Sequence, residues 1–173
     1  MVNDLLQVAR LQNKQLSHNK QITDIHQLIS DVWKNISPAG QSKGLYMRLQ
    51  LPAILPVVKI DALLIKEAIQ NVIDNAIDYS FEQKEVSCIV TLQPKAIVIK
   101  VRNTGIGLTK KDLTRIFEQF YRSYEALKMK PNGSGLGLYL ARIIFSEYGG
   151  LVTAQMEREE TVFRLTLPSI HSF

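Results

Sequence analysis

The sequence predicts an α+β fold, a two-layer α/β sandwich in which helices cover one face of a mostly antiparallel, mixed sheet. Segments with helical apolar spacing alternate with pairs of short strands, which favours hairpins in one sheet over repeated βαβ units. The chain has 173 residues, of which 46% are hydrophobic and 21% charged, as is typical of one folded domain with a proper core. No apolar run approaches the roughly 20 residues that cross a bilayer. We therefore expect a cytoplasmic domain, with membrane anchoring of the full-length protein left open.

The N-terminal third of the chain predicts two helices and two strands. Residues 3–16 have helical apolar spacing, and a short extended piece around Ile22 follows. Asp24 is a suitable N-cap for a second helix with an apolar face. The residues expected to end that helix are Pro38, Gly40 and Gly44. Strands are expected over 45–51 and 57–60, which are apolar or alternating in pattern.

The next helix, beginning at Asp61, contains the segment Glu67–Ser80, which reads EAIQNVIDNAIDYS. At about 100° per residue its apolar residues fall on one side. The polar residues on the other side are Glu67, Asn71, Asn75 and Asp78. Asparagines are indifferent helix formers, so two of them one turn apart indicate a shared ligand, and a carboxamide oxygen suits Mg²⁺ when phosphates complete the shell. The alternative is a polar face that hydrogen-bonds within the core.

The remaining sequence predicts two hairpins and two helices. The strands of the hairpins are expected over 86–93, 96–102, 151–156 and 161–167. One helix starts at Thr109, with Asp112 three residues later, and the other covers 136–148. Between these helices lie an aromatic cluster of Phe117, Phe120 and Tyr121 and a polar segment, 123–134, that we expect to be flexible. Cys88, the only cysteine, is interpreted as a buried structural thiol.

Two glycine-rich motifs flank a basic part of the chain. NTGIGL, 103–108, follows a strand, and GSGLGL, 133–138, opens a helix. The second motif exposes backbone N–H groups at a helix N-terminus, which favours phosphate binding. Between Lys100 and Lys130 eight basic residues stand against three acidic ones, which favours a phosphate-bearing ligand over nucleic acid. Ordinary tight turns and a solvated basic loop would also account for these two features.

Four motifs in this order resemble the ATP-binding catalytic domain of sensor histidine kinases. EAIQNVIDNAIDYS corresponds to the N box, NTGIGL to the G1 box, IFEQFYRS to the F box and GSGLGL to the G2 box. The resemblance implies the Bergerat (GHKL ATPase) fold, which gyrase-type ATPases, Hsp90-like chaperones and mismatch-repair ATPases share. It assigns residues 1–20 to the end of a dimerisation and phosphotransfer helix plus linker, 21–168 to the catalytic domain and 169–173 to a tail.

The resemblance also implies ATP and Mg²⁺ as cofactors and a set of binding residues. Asn75 is expected to hold Mg²⁺, with Asn71 as a second candidate ligand. Tyr79 is expected to lie against the nucleotide. Arg122, with Lys128 or Lys130 of the lid, residues 123–132, is expected to meet phosphate oxygens. The expected ATP-binding residues are Asn71, Asn75, Asp78, Tyr79, Asn103, Gly105, Gly107, Leu108, Phe120, Arg122, Lys128, Lys130, Gly133, Ser134, Gly135, Leu136, Gly137 and Leu138. No catalytic residue is expected here, because His18, His26 and His171 lack the acidic-then-arginine context of a phosphoacceptor.

Three positions depart from related sequences or bear on the reaction. Asn103 stands where the family usually has an aspartate that accepts from the adenine amino group, and Asp78 stands where a Lys or Arg is common. ATP-hydrolysing relatives commonly have a glutamate base at the position of Asn71, so its absence fits a kinase.

The resulting expectation is a kinase domain that phosphorylates a histidine on a dimerisation domain absent here, for relay to a response regulator. Neither nucleic acid nor a membrane is an expected partner. The main rival hypothesis is a degenerate nucleotide-binding module that regulates a partner kinase. An ATPase with its own turnover and a small serine kinase of the anti-sigma type fit the motifs less well.

Overall fold

The computed structural model describes residues 19–169, and its elements follow the predicted order. The helices are α1 (Ile25–Ser42), α2 (Ala62–Asp78), α3 (Lys110–Arg115), α4 (Tyr124–Met129) and α5 (Gly137–Glu147). The strands are β1 (Gln21–Asp24), β2 (Tyr46–Gln50), β3 (Val57–Ile60), β4 (Glu85–Gln93), β5 (Ala96–Thr104), β6 (Leu151–Glu157) and β7 (Glu160–Pro168). The helix predicted over 3–16 lies outside the described residues. Over 19–169, no helix combines the length and apolarity needed to cross a membrane.

The main sheet has five strands in the order β2-β4-β5-β7-β6. β2 and β4 are parallel, and the other neighbouring strands are antiparallel. β4 with β5 and β6 with β7 form the two predicted hairpins. β1 and β3 form a separate antiparallel pair. The predicted mixed, mostly antiparallel sheet is therefore confirmed, as is the α+β class.

The core lies between this sheet and a layer in which α2 packs against both α1 and α5. Alternation along β5 places Ile97, Ile99 and Val101 in the core, because successive side chains of a strand point to opposite faces. On the opposite face Arg102 contacts the carboxylates of Glu157 at 2.7 Å and Glu160 at 3.1 Å. This register is what turns Asn103, two residues after Val101, toward the helices.

Helix α1 corrects the prediction that Pro38 and Gly40 end it, because it continues to Ser42. Its buried stripe is unbroken from Ile25 through Ile36 to Gly40. Pro38 lies on the exposed side, where a carbonyl that loses its helical partner can bind water. At Gly40 a Cβ would lie 2.3 Å from the Met47 sulfur, so glycine serves close packing there rather than termination.

The segment 123–134, predicted to be flexible, contains α4. Ser123 caps this helix, because its side chain accepts the Ala126 N–H at 3.2 Å. Just upstream, the helix start predicted at Thr109 is present as a reciprocal capping box with Asp112. Burial acts to raise the pKa of Asp112, but hydrogen bonds from Thr109 and from the Tyr121 hydroxyl at 2.7 Å outweigh it and lower the pKa.

Cys88 lies in β4, the second strand of the sheet, and is fully buried. Burial raises the pKa of its thiol to about 12, because a thiolate is poorly solvated in an apolar core. The structure therefore agrees with the interpretation of Cys88 as a structural thiol.

Candidate functional site

A cavity of about 260 Å³ opens between α2, the lid, the N-terminus of α5 and the ends of β5 and β7. Residues from all four motifs line it, although about fifty residues of chain separate the first motif from the last. The volume of the cavity is just below the range of roughly 300–1,000 Å³ for small-molecule sites. The lid forms part of its wall through Ser123, Ala126 and Lys130.

Helix α2 supplies the polar wall of the cavity. Asp61 fixes its start by accepting the N–H groups of Leu63 at 3.0 Å and Leu64 at 3.3 Å. Asn71 and Asn75 both line the cavity from this helix. The Asn71 Nδ2 atom is buried without a hydrogen-bond partner among the described residues. Because a buried, unpaired polar atom is costly, this amide is suited to a ligand.

The strands supply the floor of the cavity. Asn103 in β5 pairs with Thr161 in β7, and Phe163 lies beside them. The Asn103 side chain is only 3% exposed, and its Oδ1 has no hydrogen-bond partner within residues 19–169. Two unpaired amide atoms thus face a shared cavity from different elements.

The first glycine motif is tied directly to the end of α2. Tyr79 lines the cavity, and its carbonyl oxygen accepts the Ile106 N–H at 3.2 Å. Gly105 packs against the Tyr79 backbone so closely that a Cβ there would lie 1.7 Å from the same oxygen. Gly105 therefore holds the motif in position, whereas Gly107 and Leu108 reach the cavity.

The second glycine motif leads into α5. Gly135 has φ +69°, and a Cβ on it would lie 2.8 Å from the Phe120 carbonyl carbon. The Gly135 carbonyl accepts the Phe120 N–H at 3.1 Å. Glycine is needed here both for its conformation and for this close approach. Gly133, Gly135 and Gly137 line the cavity beside the N-terminus of α5, where free N–H groups favour an anion.

Arg122 binds the lid itself. Its guanidinium donates to the main-chain carbonyls of Ala126 at 2.9 Å, Pro131 at 2.8 Å and Gly133 at 3.1 Å, and also to that of Lys130. The predicted contact of Arg122 with phosphate would therefore require exchange of some of these bonds. In this structure its charge organises the turn of the lid around the cavity.

Asp78 joins the lid to the C-terminal ends of α1 and α2. Its carboxylate contacts Lys43 Nζ at 2.9 Å and also Lys130 Nζ. The same carboxylate contributes to raising the pKa of Asp74, after the larger effect of burial. Asp78 thus occupies the cavity wall with its charge compensated by two lysines.

Fourteen of the eighteen predicted binding residues line this one cavity. They are Asn71, Asn75, Asp78, Tyr79, Asn103, Gly107, Leu108, Arg122, Lys130, Gly133, Ser134, Gly135, Gly137 and Leu138.

The other four predicted residues lie elsewhere. Gly105 packs on Tyr79 as described, and Leu136 is fully buried in the core. Phe120 is 56% exposed with φ +64°, because the turn that pairs it with Gly135 directs its side chain outward. Lys128 lies over the Tyr124 ring at 4.1 Å and pairs with Glu125 at 3.5 Å.

Several lining residues were not predicted as site residues. They include Glu67, Asp74, Ile106, Ile116, Tyr121, Thr161 and Phe163. Thr161 and Phe163 reach the cavity only because β7 pairs with β5 across nearly sixty residues of chain. The apolar periodicity of β7 predicts its buried face but not its neighbour.

A metal ion at this site would need ligands from a bound molecule. Within residues 19–169 no group of three or more His, Cys, Asp or Glu side chains could hold a metal ion. The amides of Asn71 and Asn75 suit a Mg²⁺ ion whose other ligands are phosphates and water, and the carboxylates of Glu67, Asp74 and Asp78 line the same cavity. The donor set therefore fits a metal that arrives with a phosphate ligand.

Comparisons with known proteins agree with this geometry. The family model described as histidine kinase-, DNA gyrase B-, and HSP90-like ATPase matches residues 60–171. Sensor histidine kinase WalK of Bacillus subtilis is 32% identical over 171 residues, covering 97% of this chain and 28% of the relative. The chain therefore spans less than a third of that relative's length.

Solved structures show the same fold. Full-length ShkA in complex with AMPPNP has a TM-score of 0.82 at 25% identity, over 96% of this chain and 35% of that one. The catalytic domain of histidine kinase ThkA has a TM-score of 0.74 at 20% identity, over 87% of this chain and 95% of that one. The predicted resemblance and fold are confirmed: this chain belongs to the histidine kinase-, DNA gyrase B-, and HSP90-like ATPase family.

Proposed function

We propose that this chain binds Mg·ATP in the cavity and transfers the γ-phosphoryl group to a histidine on a dimerisation domain of the same protein. That phosphoryl group would then pass to a response regulator. The observation that carries the proposal is the convergence of two unpaired buried amides, a glycine-lined helix N-terminus and the lid cation Lys130 on one cavity. Each of these groups suits a different part of a metal-bound nucleotide.

In this proposal the residues act mainly by binding and positioning. Asn75 holds Mg²⁺ and Asn71 supports the metal or the phosphates, while the metal neutralises phosphate charge. Main-chain N–H groups of 133–137 bind phosphate oxygens, and Lys130 reaches them from the lid. Tyr79 lies against the nucleotide. Sequestration by the lid keeps water from the reacting group.

Asn71 favours transfer over hydrolysis. An amide side chain cannot accept a proton from water at neutral pH, so this position supplies no general base. The acceptor imidazole then comes from the dimerisation domain, and the isolated chain should bind nucleotide without phosphorylating itself. Domain assignments of 1–20, 21–168 and 169–173 belong to the same proposal.

A calorimetric titration with Mg·ATP tests the proposal. We expect saturable binding to the wild type and at least about tenfold weaker binding to Asn75→Ala, by analogy with the loss of a metal-supporting group. Asn35→Ala is the matched control, because Asn35 is an exposed amide on α1 and should leave binding unchanged. Adding the dimerisation domain of the full-length protein should produce an acid-labile phosphohistidine on that domain.

The second candidate function is a degenerate module of this fold, which has weakened affinity for ATP and regulates a partner kinase without catalysis. It is favoured by the carboxylate of Asp78 in the cavity wall, which holds Lys130. Absence of binding at millimolar Mg·ATP would reject the kinase proposal in favour of this candidate. Phosphohistidine on the isolated chain would contradict the proposal that the dimerisation domain supplies the acceptor histidine. Appreciable ATP hydrolysis without a partner would contradict the proposal that this site supplies no general base.

A further inference from the structure

Asn103 presents a buried amide to the floor of the cavity. It shares the core face of β5 with Ile99 and Val101, yet it is polar and its Oδ1 has no hydrogen-bond partner among the described residues. Because Asn103 is only 3% exposed, water has little access to this oxygen as a hydrogen-bond donor. An unpaired buried amide of this kind indicates a ligand group that completes its hydrogen bonds.

The surroundings of Asn103 indicate which part of a nucleotide it meets. Of the lining residues in the described chain, those from β5 and β7 are Asn103, Thr161 and Phe163, none of them charged. The lid supplies the cation Lys130, and the 133–137 loop lines the cavity at the N-terminus of α5, which favours an anion. Phosphates therefore belong at the loop, and the flat, uncharged purine base belongs at the strands.

An amide can satisfy either purine base. Adenine presents a donor at N6 and an acceptor at N1, whereas guanine presents an acceptor at O6 and a donor at N1. An asparagine side chain has both an acceptor, Oδ1, and a donor, Nδ2, and a half-turn about its terminal torsion exchanges them in nearly the same volume. In one orientation the amide matches adenine, and in the other it matches guanine. A carboxylate at this position has acceptors only, so it can accept from adenine N6 or from guanine N1 and N2, but it cannot donate to either base.

We propose that Asn103 makes the base site permissive for both purines, so that this domain accepts Mg·GTP as well as Mg·ATP. This rests on the proposed nucleotide-binding function and adds the class of base to it. Asn103 is then a specificity-determining residue, because its amide can match the hydrogen-bonding edge of either purine.

Parallel titrations with Mg·ATP and Mg·GTP test the inference. For the wild type we expect the two dissociation constants to agree within about tenfold. For Asn103→Leu, which nearly keeps the volume and removes both hydrogen-bonding groups, we expect ATP and GTP binding to weaken by a similar factor, about tenfold or more. Asn35→Leu makes the same change on the exposed surface of α1 and should leave both dissociation constants unchanged.

The outcomes separate the two proposals. A wild type that binds ATP but discriminates against GTP by more than about tenfold overturns the inference and leaves the proposed function standing. A folded Asn103→Leu variant that loses affinity for only one of the two nucleotides, or for neither, also overturns it. If that variant fails to fold in a thermal melt, the wild-type ratio alone decides. A wild type that binds neither nucleotide overturns the proposed function and the inference together.

Discussion

At the scale of single residues, the guanidinium of Arg122 ties together the main chain of residues 126–133. The sequence identified Arg122 as a phosphate ligand, but its N–H groups are shared among carbonyls of the lid. An arginine can donate to phosphate or to main-chain oxygen, since its fork of N–H groups fits both kinds of acceptor. Which acceptor it meets depends on how the lid folds back, and this is a tertiary property.

A substitution of Asp78 is expected to change the affinity for Mg·ATP. The Asp78→Asn substitution should tighten Mg·ATP binding about twofold to fivefold, because it frees Lys130 and removes a charge that repels phosphate, and exposed ion pairs contribute up to roughly 1 kcal/mol. Titration at fixed Mg²⁺ measures the change. Lys43→Met is the matched comparison: it removes the other partner of Asp78 and should weaken binding slightly. Equal affinities in all three proteins would show that Asp78 does not restrain Lys130.

At the scale of elements, the local sequence pattern was sufficient to predict a helix or hairpin where residues close together in sequence determine it. The capping box of Thr109 and Asp112, the hairpin turns and the amphipathic stripe of α2 were all predictable because neighbours in sequence form them. The prediction that Pro38 and Gly40 end α1 was wrong, because the effect of a helix-breaking residue depends on its surroundings. One lies on the solvent side of α1 and the other packs on Met47.

Gly105 provides the prediction for elements. Gly105→Ala places a methyl group 1.7 Å from the Tyr79 oxygen, so the strand end and the end of α2 must separate. We expect a loss of at least about 3 kcal/mol in unfolding free energy, which is in the range of severe overpacking. Chemical denaturation of the purified variant measures it.

Gly137→Ala is the control for this substitution. Its Cβ would have Asn71 atoms as nearest neighbours at 3.6 Å, an ordinary contact, and alanine is about 1 kcal/mol better than glycine within a helix. Stability should therefore be equal or slightly higher. Similar destabilisation of both variants would contradict the close approach described for Gly105.

At the scale of the whole molecule, the layer architecture was predictable and the joining of its parts was not. Each hairpin follows from alternation and turn residues, but the pairing of β7 with β5 joins segments far apart in the chain. That pairing places Thr161 and Phe163 beside Asn103. The sequence therefore predicted the glycine motifs as part of the site but did not predict Thr161 and Phe163. Long-range register leaves little trace in the local pattern of either strand.

The reactivity of the buried Cys88 thiol can be used to measure how often the sheet opens. A thiol enclosed in β4 reacts with a disulfide reagent only when the sheet opens. If the reagent reacts more slowly than the sheet closes, the labelling rate is proportional to the fraction of molecules in which the sheet is open. A ligand at a hundred times its dissociation constant adds about 2.7 kcal/mol to stability. Saturating Mg·ATP should therefore slow labelling about a hundredfold in the wild type and much less in Asn75→Ala. Equal rates with and without nucleotide would argue against binding, and no phosphoacceptor partner is needed for the measurement.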